Sequence, residues 1–233
     1  MRKVDPADVR QDFETNARDI TEFFDRTCQA LSGTPMKESD ISRLATTSFL
    51  ALFVTFERFL SDLFLAYLNR DCSVYQAHLV SRLNDSIESK FGPGVSSLVS
   101  LRTKAHVSVD ELEDIVDPDG WNLTFQTVDS LKAAAGNWLP PAFANRVKSI
   151  NAGEGRLIDT ARVVRNFIAH QSAGSKQRMN DALSTVEVGG HNRHLGRGQR
   201  EVHGVGSYLK ASHAGQRRIH RYGSGLLIIS AHV

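Results

Sequence analysis

The stretch Phe49–Leu68, FLALFVTFERFLSDLFLAYL, decides the fold class. It lies in a longer segment, from Ser39 to about Asn69, that contains neither Gly nor Pro. Its apolar side chains recur at helical spacing on more than one face, which is typical of a helix that is buried on most sides. We therefore predict that this helix is the central element of the protein. Its most apolar part, Leu44–Phe56, has thirteen residues, whereas a bilayer span needs about 20, so we expect a core helix.

Helical patterns also occur on both sides of this central helix. Ser108 and Glu111 have the spacing of a capping box, which predicts the start of a short helix, and Pro140-Pro141 breaks the chain before another short helix. The longer patterns predict helices over about residues 7–31, 74–91, 124–138, 156–171 and 175–183. The sequence therefore predicts an all-α protein.

Composition narrows the class of protein further. The 233 residues are 41% hydrophobic and 23% charged, which is ordinary for a globular chain. The only two cysteines, Cys28 and Cys72, are far apart in the sequence, so we expect neither a disulfide framework nor a zinc knuckle. No apolar run follows the charged N-terminus, so we expect no signal peptide, no membrane partner and a cytoplasmic location.

The C-terminal part of the chain has a different texture. Residues 187–233 hold seven basic and two acidic residues, although the whole chain has a net charge of only +2. Gly is frequent there and the helical period is lost. We predict a helical domain over residues 1–185 and a small, basic, β-leaning extension over 186–233, with strands at about 201–209 and 225–230. Its arginines predict contacts with RNA phosphates, with Tyr208 or Tyr222 stacking on bases: Arg193, Arg197, Arg200, Arg217 and Arg218. The alternative is a surface extension with coincidental charge.

The extension also holds six of the nine histidines, including His191 and His194. No cysteine or carboxylate cluster completes a ligand shell around them, and the glycines between them provide no rigid platform. We therefore predict no metal and no cofactor.

The segment RNFIAHQ, Arg165–Gln171, carries the residues best suited to chemistry. Asn166 and His170 are four residues apart on one helix and share a face, and the long side chain of Arg165 reaches the same edge. Arg holds phosphate oxygens with a charge that does not titrate, and His transfers protons near neutral pH. On the pattern alone, the alternative is a solvated helix face that ends in a histidine.

This segment resembles the R-x4–6-H signature of the HEPN superfamily in its R-N-x3-H form. The stretch Phe49–Leu68 with its embedded acid resembles the second helix of that family, and within the superfamily the chain is most similar to the RiboL-PSP-type HEPN proteins. The resemblance covers about residues 7–185. It implies an α-helical bundle in which Arg165 stabilises phosphate, His170 transfers protons, and Asn166 orients His170 or the substrate. It also implies a supporting role for Glu57, which matches an acidic position on the second helix of the family; the alternative is an acid at a buried edge that pairs with a basic residue. We expect Arg162, one turn before Asn166 on the same face of its helix, to support the site as well.

The resemblance implies a function as well. Active HEPN proteins are metal-independent endoribonucleases that dimerise to form a composite cleft, and many are toxins or antiviral effectors. We therefore expect an endoribonuclease that leaves a 2′,3′-cyclic phosphate, acts as a homodimer and is held by an antitoxin protein. Other HEPN proteins are non-catalytic modules that bind RNA, nucleotides or protein partners, and this is the alternative. A helical interaction protein with no nucleic-acid role is the third hypothesis.

Overall fold

The computed structural model describes residues 3–120, 122–184, 201–213 and 215–233. In this part of the chain the fold is all-α, as predicted, with one small antiparallel strand pair near the C-terminus. The α-helices are α1 Pro6–Ala30, α2 Lys37–Arg70, α3 Ser73–Phe91, α4 Pro93–Ser96, α5 Val109–Val116, α6 Val128–Trp138, α7 Pro141–Lys148, α8 Ala152–His170, α9 Ala173–Ser184, α10 Val205–Lys210 and α11 Arg218–His232. A 3₁₀ turn, Leu31–Gly33, follows α1, and β1 Ser212–His213 pairs with β2 Gln216–Arg217.

Capping residues explain where several helices begin. The capping box predicted at Ser108 and Glu111 is present at the start of α5. Thr127 caps α6, so this helix begins at Val128 and not near residue 124. Asn151 caps α8, which therefore begins four residues before the predicted start at 156. The helix thus includes two glycines that the sequence pattern placed outside it.

The chain forms two compact units that share α2. Unit 1 consists of the chain up to Val9, Leu60–Ser149 and Val233, and unit 2 consists of Arg10–Phe59 and Ile150–His232. The described residues of the C-terminal region up to His232, 201–213 and 215–232, belong to unit 2.

Aromatic side chains from the second half of α2 form the core of unit 1. Phe64 lies 4.8 Å from the ring of Phe125, and Tyr67 stacks on Phe143 at 4.3 Å. Asn69 is 3% exposed and hydrogen bonds at both ends of its amide: Oδ1 accepts from Val4 N and Nδ2 donates to Val107 O. This amide fixes two loop segments against the end of α2, since buried polar groups are costly when unpaired.

Unit 2 is built on the first half of α2. Phe13 of α1 contacts Phe56 and Phe59 of α2, and Phe49 meets the edge of Tyr222 from α11. In addition, α8 packs against α9 and α11. The central position predicted for α2 is confirmed, because its apolar side chains are buried in both units.

The prediction of two strands in the C-terminal region is wrong. Residues 205–210 and 218–232 are helical instead. On α11 the buried side chains recur at helical spacing, Ile219, Tyr222, Leu226 and Ile229. The close packing of this region depends on glycine, since a Cβ on Gly206 of α10 would lie 2.1 Å from the Ser42 carbonyl oxygen of α2.

Candidate active site on helix α8

The helix that carries the R-N-x3-H segment is fixed at both ends. At its start, Asn151 Oδ1 accepts hydrogen bonds from Gly153 N and Glu154 N, and Glu154 Oε2 accepts one from Asn151 N. At its end, Gln171 has a left-handed backbone conformation with φ 49°, so the helix stops at His170. Arg165 and Asn166 therefore lie within the last turns of α8, and His170 is its final residue.

Glu57 of α2 meets two arginines of α8. Its Oε2 lies 3.2 Å from Arg165 Nη2, and its Oε1 lies 3.9 Å from Arg162 Nε. Arg162 Nη1 also donates a hydrogen bond of 3.3 Å to Asp159 Oδ1 on the same helix. We call these four residues, Glu57, Asp159, Arg162 and Arg165, the acid–arginine cluster. Its two carboxylates and two guanidinium groups balance in charge.

The cluster is largely shielded from solvent. The side chains of Glu57 and Arg162 are 18% and 11% exposed, and that of Arg165 is 31% exposed. Burial raises the pKa of the Glu57 carboxyl, although the positive charges of Arg165 and Arg162 oppose this shift. Burial likewise lowers the pKa of the Arg162 guanidinium, against the effects of Asp159 and Glu57. Burial is the largest cause of both shifts.

Arg165 is the member of the cluster best placed to meet a ligand. Its Nη1 donates a hydrogen bond of 3.0 Å to Asn166 Oδ1, and its Nε is buried without a hydrogen-bond partner among the described residues. Asn166 thus orients Arg165. The resemblance implied that Asn166 orients His170 or the substrate, and no side-chain hydrogen bond joins Asn166 to His170 in the described part of the chain.

His170 is exposed, and its side chain makes no hydrogen bond, ion pair or ring contact with any described residue. In an ideal helix it lies one turn beyond Asn166 on the same face, and about 7.5 Å along the axis from Arg165. The structure therefore brings Glu57, Arg162, Arg165 and Asn166 into contact, and it leaves His170 at the adjacent end of the helix.

The sequence of α8 did not predict two features of the site, the burial of Arg162 and the participation of Asp159. Arg162, for which a supporting role is predicted, is buried because Glu57 and Asp159 neutralise its charge. Asp159 was not predicted as a site residue. Its i, i+3 spacing to Arg162 was the available signal, because residues three apart are neighbours on a helix.

Of the arginines predicted to bind RNA in the C-terminal region, the structure describes Arg217 and Arg218. Arg218 is 8% exposed, with its guanidinium 4.7 Å from the Tyr208 ring centroid and Nη1 donating to Tyr208 O. The predicted phosphate contact would therefore require this buried guanidinium to become accessible. Tyr208 and Tyr222 are buried, with their hydroxyls 3.2 Å apart, so neither is available for stacking. Arg217 is half-buried over the Phe24 ring. The remaining three predicted arginines lie outside the described residues: Arg193, Arg197 and Arg200.

Comparisons of the chain with protein-family models, with curated protein sequences and with solved structures found no match. Within the described residues, no group of three or more His, Cys, Asp or Glu side chains is arranged to hold a metal ion. Nor does any described helix combine the length and apolar character that crossing a membrane requires.

Proposed function

We propose that the protein is a metal-independent endoribonuclease of the HEPN type. The observation that carries this proposal is the hydrogen bond from Arg165 Nη1 to Asn166 Oδ1, on the helix that ends at His170. A guanidinium that is oriented by neighbours stabilises developing negative charge better than a mobile one, since its geometry is set before the reaction. Asn166 provides this orientation by accepting a hydrogen bond from Arg165 Nη1.

The proposed reaction uses the RNA as its own nucleophile. The 2′-oxygen attacks the adjacent phosphorus and the 5′-oxygen of the next nucleotide leaves, which yields a 2′,3′-cyclic phosphate and a 5′-hydroxyl. One proton is removed from the 2′-hydroxyl and one is supplied to the leaving oxygen. His170 is the proposed proton-transfer group, and Arg165 is the proposed partner of the charged phosphoryl oxygens.

A single chain offers one such histidine, whereas the reaction moves two protons. We therefore propose that the active form is a homodimer in which the α8 ends of two copies form one composite cleft. In the cytoplasm such an enzyme would act as a toxin or an antiviral effector, with an antitoxin protein as its inhibitor. These roles follow from the HEPN resemblance.

The test is incubation of the purified protein with total RNA in EDTA, followed by analysis of the RNA ends. We expect 2′,3′-cyclic phosphate ends with the wild type, and a loss of cleavage of at least a hundredfold in His170→Ala and in Arg165→Ala, since a general acid–base group contributes about 10²–10⁴ in rate. His203→Ala and Arg26→Ala are matched controls, because both side chains are exposed and lie outside the acid–arginine cluster. Cleavage that persists in the His170 and Arg165 variants would refute the assignment, provided that their circular dichroism and oligomeric state match the wild type.

A specific observation favours a second candidate, a non-catalytic HEPN module that binds RNA. His170 contacts no described residue that would fix its imidazole, and catalytic histidines are ordinarily oriented by a partner. A wild-type protein that retards RNA in a salt-dependent manner but never produces cyclic phosphate ends would support this candidate. A protein that neither binds nor cleaves RNA would contradict both.

A further inference from the structure

We infer that Glu57 is an autoinhibitory residue whose carboxylate occupies the phosphate-binding side of Arg165, so that RNA binds tightly only after Glu57 has moved away. This inference rests on the proposed function, since it concerns how the same site is regulated. In this inference, the Glu57 carboxylate occupies the position beside Arg165 that an RNA phosphate would take. The alternative is that Glu57 only positions Arg165 for catalysis, and the two alternatives predict opposite effects when the charge is removed.

The first support is the charge balance of the acid–arginine cluster. Glu57 and Asp159 offset Arg162 and Arg165, so an incoming phosphate meets no net positive charge. The carboxylate of Glu57 lies 3.2 Å from Arg165 Nη2, on the side from which a phosphate oxygen would approach this nitrogen at about 2.7–2.9 Å. A phosphate and this carboxylate therefore compete for one nitrogen.

The second support is the geometry that remains on Arg165. A bidentate grip on phosphate uses Nη2 together with either Nη1 or Nε. Nη2 faces Glu57, Nη1 donates to Asn166, and Nε is buried. Neither fork of the guanidinium is thus open while Glu57 is in place.

The third support is the weakness of the Glu57 contacts. The carboxylate forms ion pairs with Arg165 and Arg162, but it accepts no hydrogen bond from any described residue. Its pKa is raised chiefly by burial, which shows that the charged form is poorly solvated where it lies. A carboxylate held in this way gains hydration when it leaves, which offsets part of the cost of breaking its ion pairs.

Arg162 makes the exchange selective for Arg165. It keeps Asp159 as a second partner at 3.3 Å when Glu57 leaves, whereas Arg165 has no second carboxylate among the described residues. Displacement of Glu57 therefore exposes one uncompensated cation, at the position that the proposed chemistry requires.

The experiment measures the affinity of Glu57→Gln for a fluorescently labelled single-stranded RNA with 2′-O-methyl groups, which cannot be cleaved by 2′-oxygen attack. Fluorescence anisotropy should show RNA binding roughly five- to tenfold tighter than in the wild type, since one negative charge is removed a few ångströms from the phosphate site in a partly screened environment. The double variant Glu57→Gln/Arg165→Gln should lose this gain. Asp19→Asn is the matched control, because it removes the same charge from an exposed position of α1 outside the cluster, and it should leave the affinity unchanged within a factor of two.

Glu57→Asp keeps the charge but withdraws it by one methylene, so it should give a smaller gain and serves if Glu57→Gln does not fold. Affinity that is unchanged or weaker in the folded Glu57 variants overturns the inference, and so does a gain that survives the Arg165 substitution.

The outcomes for the two proposals are separable. Tighter RNA binding without any cleavage in EDTA supports the inference and refutes the endoribonuclease. Cleavage by the wild type that falls in Glu57→Gln supports the endoribonuclease and overturns the inference, because Glu57 is then a positioning residue.

Discussion

Replacement of Ile229 by alanine tests whether the C-terminal helix α11 belongs to the core of unit 2. Ile229 is 0% exposed, whereas its neighbour Ile228 on the same helix is 61% exposed. The two isoleucines are adjacent on one helix and have the same side chain, so they differ only in burial. Ile228→Ala is therefore a closely matched control for Ile229→Ala.

The magnitude follows from the atoms removed. Ile→Ala deletes three carbon groups, each worth about 0.8 kcal/mol of transfer free energy when fully buried, or about 2.4 kcal/mol in total. The cavity that remains raises the cost to about 3–4 kcal/mol. Alanine recovers about 0.4 kcal/mol through its higher helix propensity. We expect Ile229→Ala to lower the free energy of unfolding by about 3 kcal/mol, and Ile228→Ala to change it by less than about 0.5 kcal/mol.

Urea unfolding followed by circular dichroism measures this difference as a shift in midpoint at constant m value. A thermal scan should show a midpoint about 6–12 °C lower for Ile229→Ala, at about 2–4 °C per kcal/mol for a chain of this size. Equal effects of the two substitutions, within about 0.5 kcal/mol, would refute the packing of α11 described above.

Two further predictions concern other parts of the fold. Gly206→Ala should destabilise the protein by about 1–3 kcal/mol in the same unfolding assay, because its new Cβ would lie 2.1 Å from the Ser42 carbonyl oxygen. Gly33→Ala is the control and should be tolerated, since there is open space around that position. Equal stability of the two variants would contradict this prediction. The hydrogen bond from Lys104, with a second one from the Ser108 backbone N–H, lowers the pKa of Glu111 to about 2. The contribution of ionised Glu111 to stability is therefore present above its unfolded pKa of about 4.3 and is lost as the pH falls toward 2. An NMR titration should show the pKa of Glu111 return toward its ordinary value in Lys104→Gln but not in the control Lys90→Gln.

The sequence predicted the long helices because their apolar residues report burial directly. The segment around α2 is apolar on most sides and free of Gly and Pro, so local propensity and tertiary burial favour the same structure. The ends of α6 and α8 were predicted less well, because Thr127 and Asn151 act through hydrogen bonds to backbone groups that only the folded turn presents.

The C-terminal region was misread because glycine weakens the local helix signal. Gly223 and Gly225 lie in the middle of α11, where they permit close contact: a Cβ on Gly225 would lie 2.6 Å from Leu157 of α8. Packing therefore offsets a poor helix propensity. The spacing of Ile219, Tyr222 and the two apolar positions that follow them on α11 was a helical signal in the sequence, and the frequent glycines obscured it.

In the candidate site too, the sequence predicts features that depend on neighbouring residues but not contacts between helices that are far apart in sequence. The sequence marks Glu57 as an acid in an apolar helix and Arg165 as a cation beside an apolar stripe, and each is a local anomaly. Their 3.2 Å contact depends on the register between α2 and α8, which are far apart in sequence. The short i, i+3 pair of Asp159 and Arg162 was readable, whereas the pairing of both arginines with one carboxylate was not.

The ion pairs of Glu57 with Arg162 and Arg165 can be broken at different costs to the fold. Removing one member of a buried ion pair is ordinarily costly, because the remaining charge is left without compensation. Arg162 is protected from that cost by Asp159. Arg165 avoids much of it by a different route, since its side chain is 31% exposed and water can solvate the released charge. Glu57 can therefore leave Arg165 without stranding a buried cation, and this asymmetry is what a displaceable inhibitory carboxylate requires.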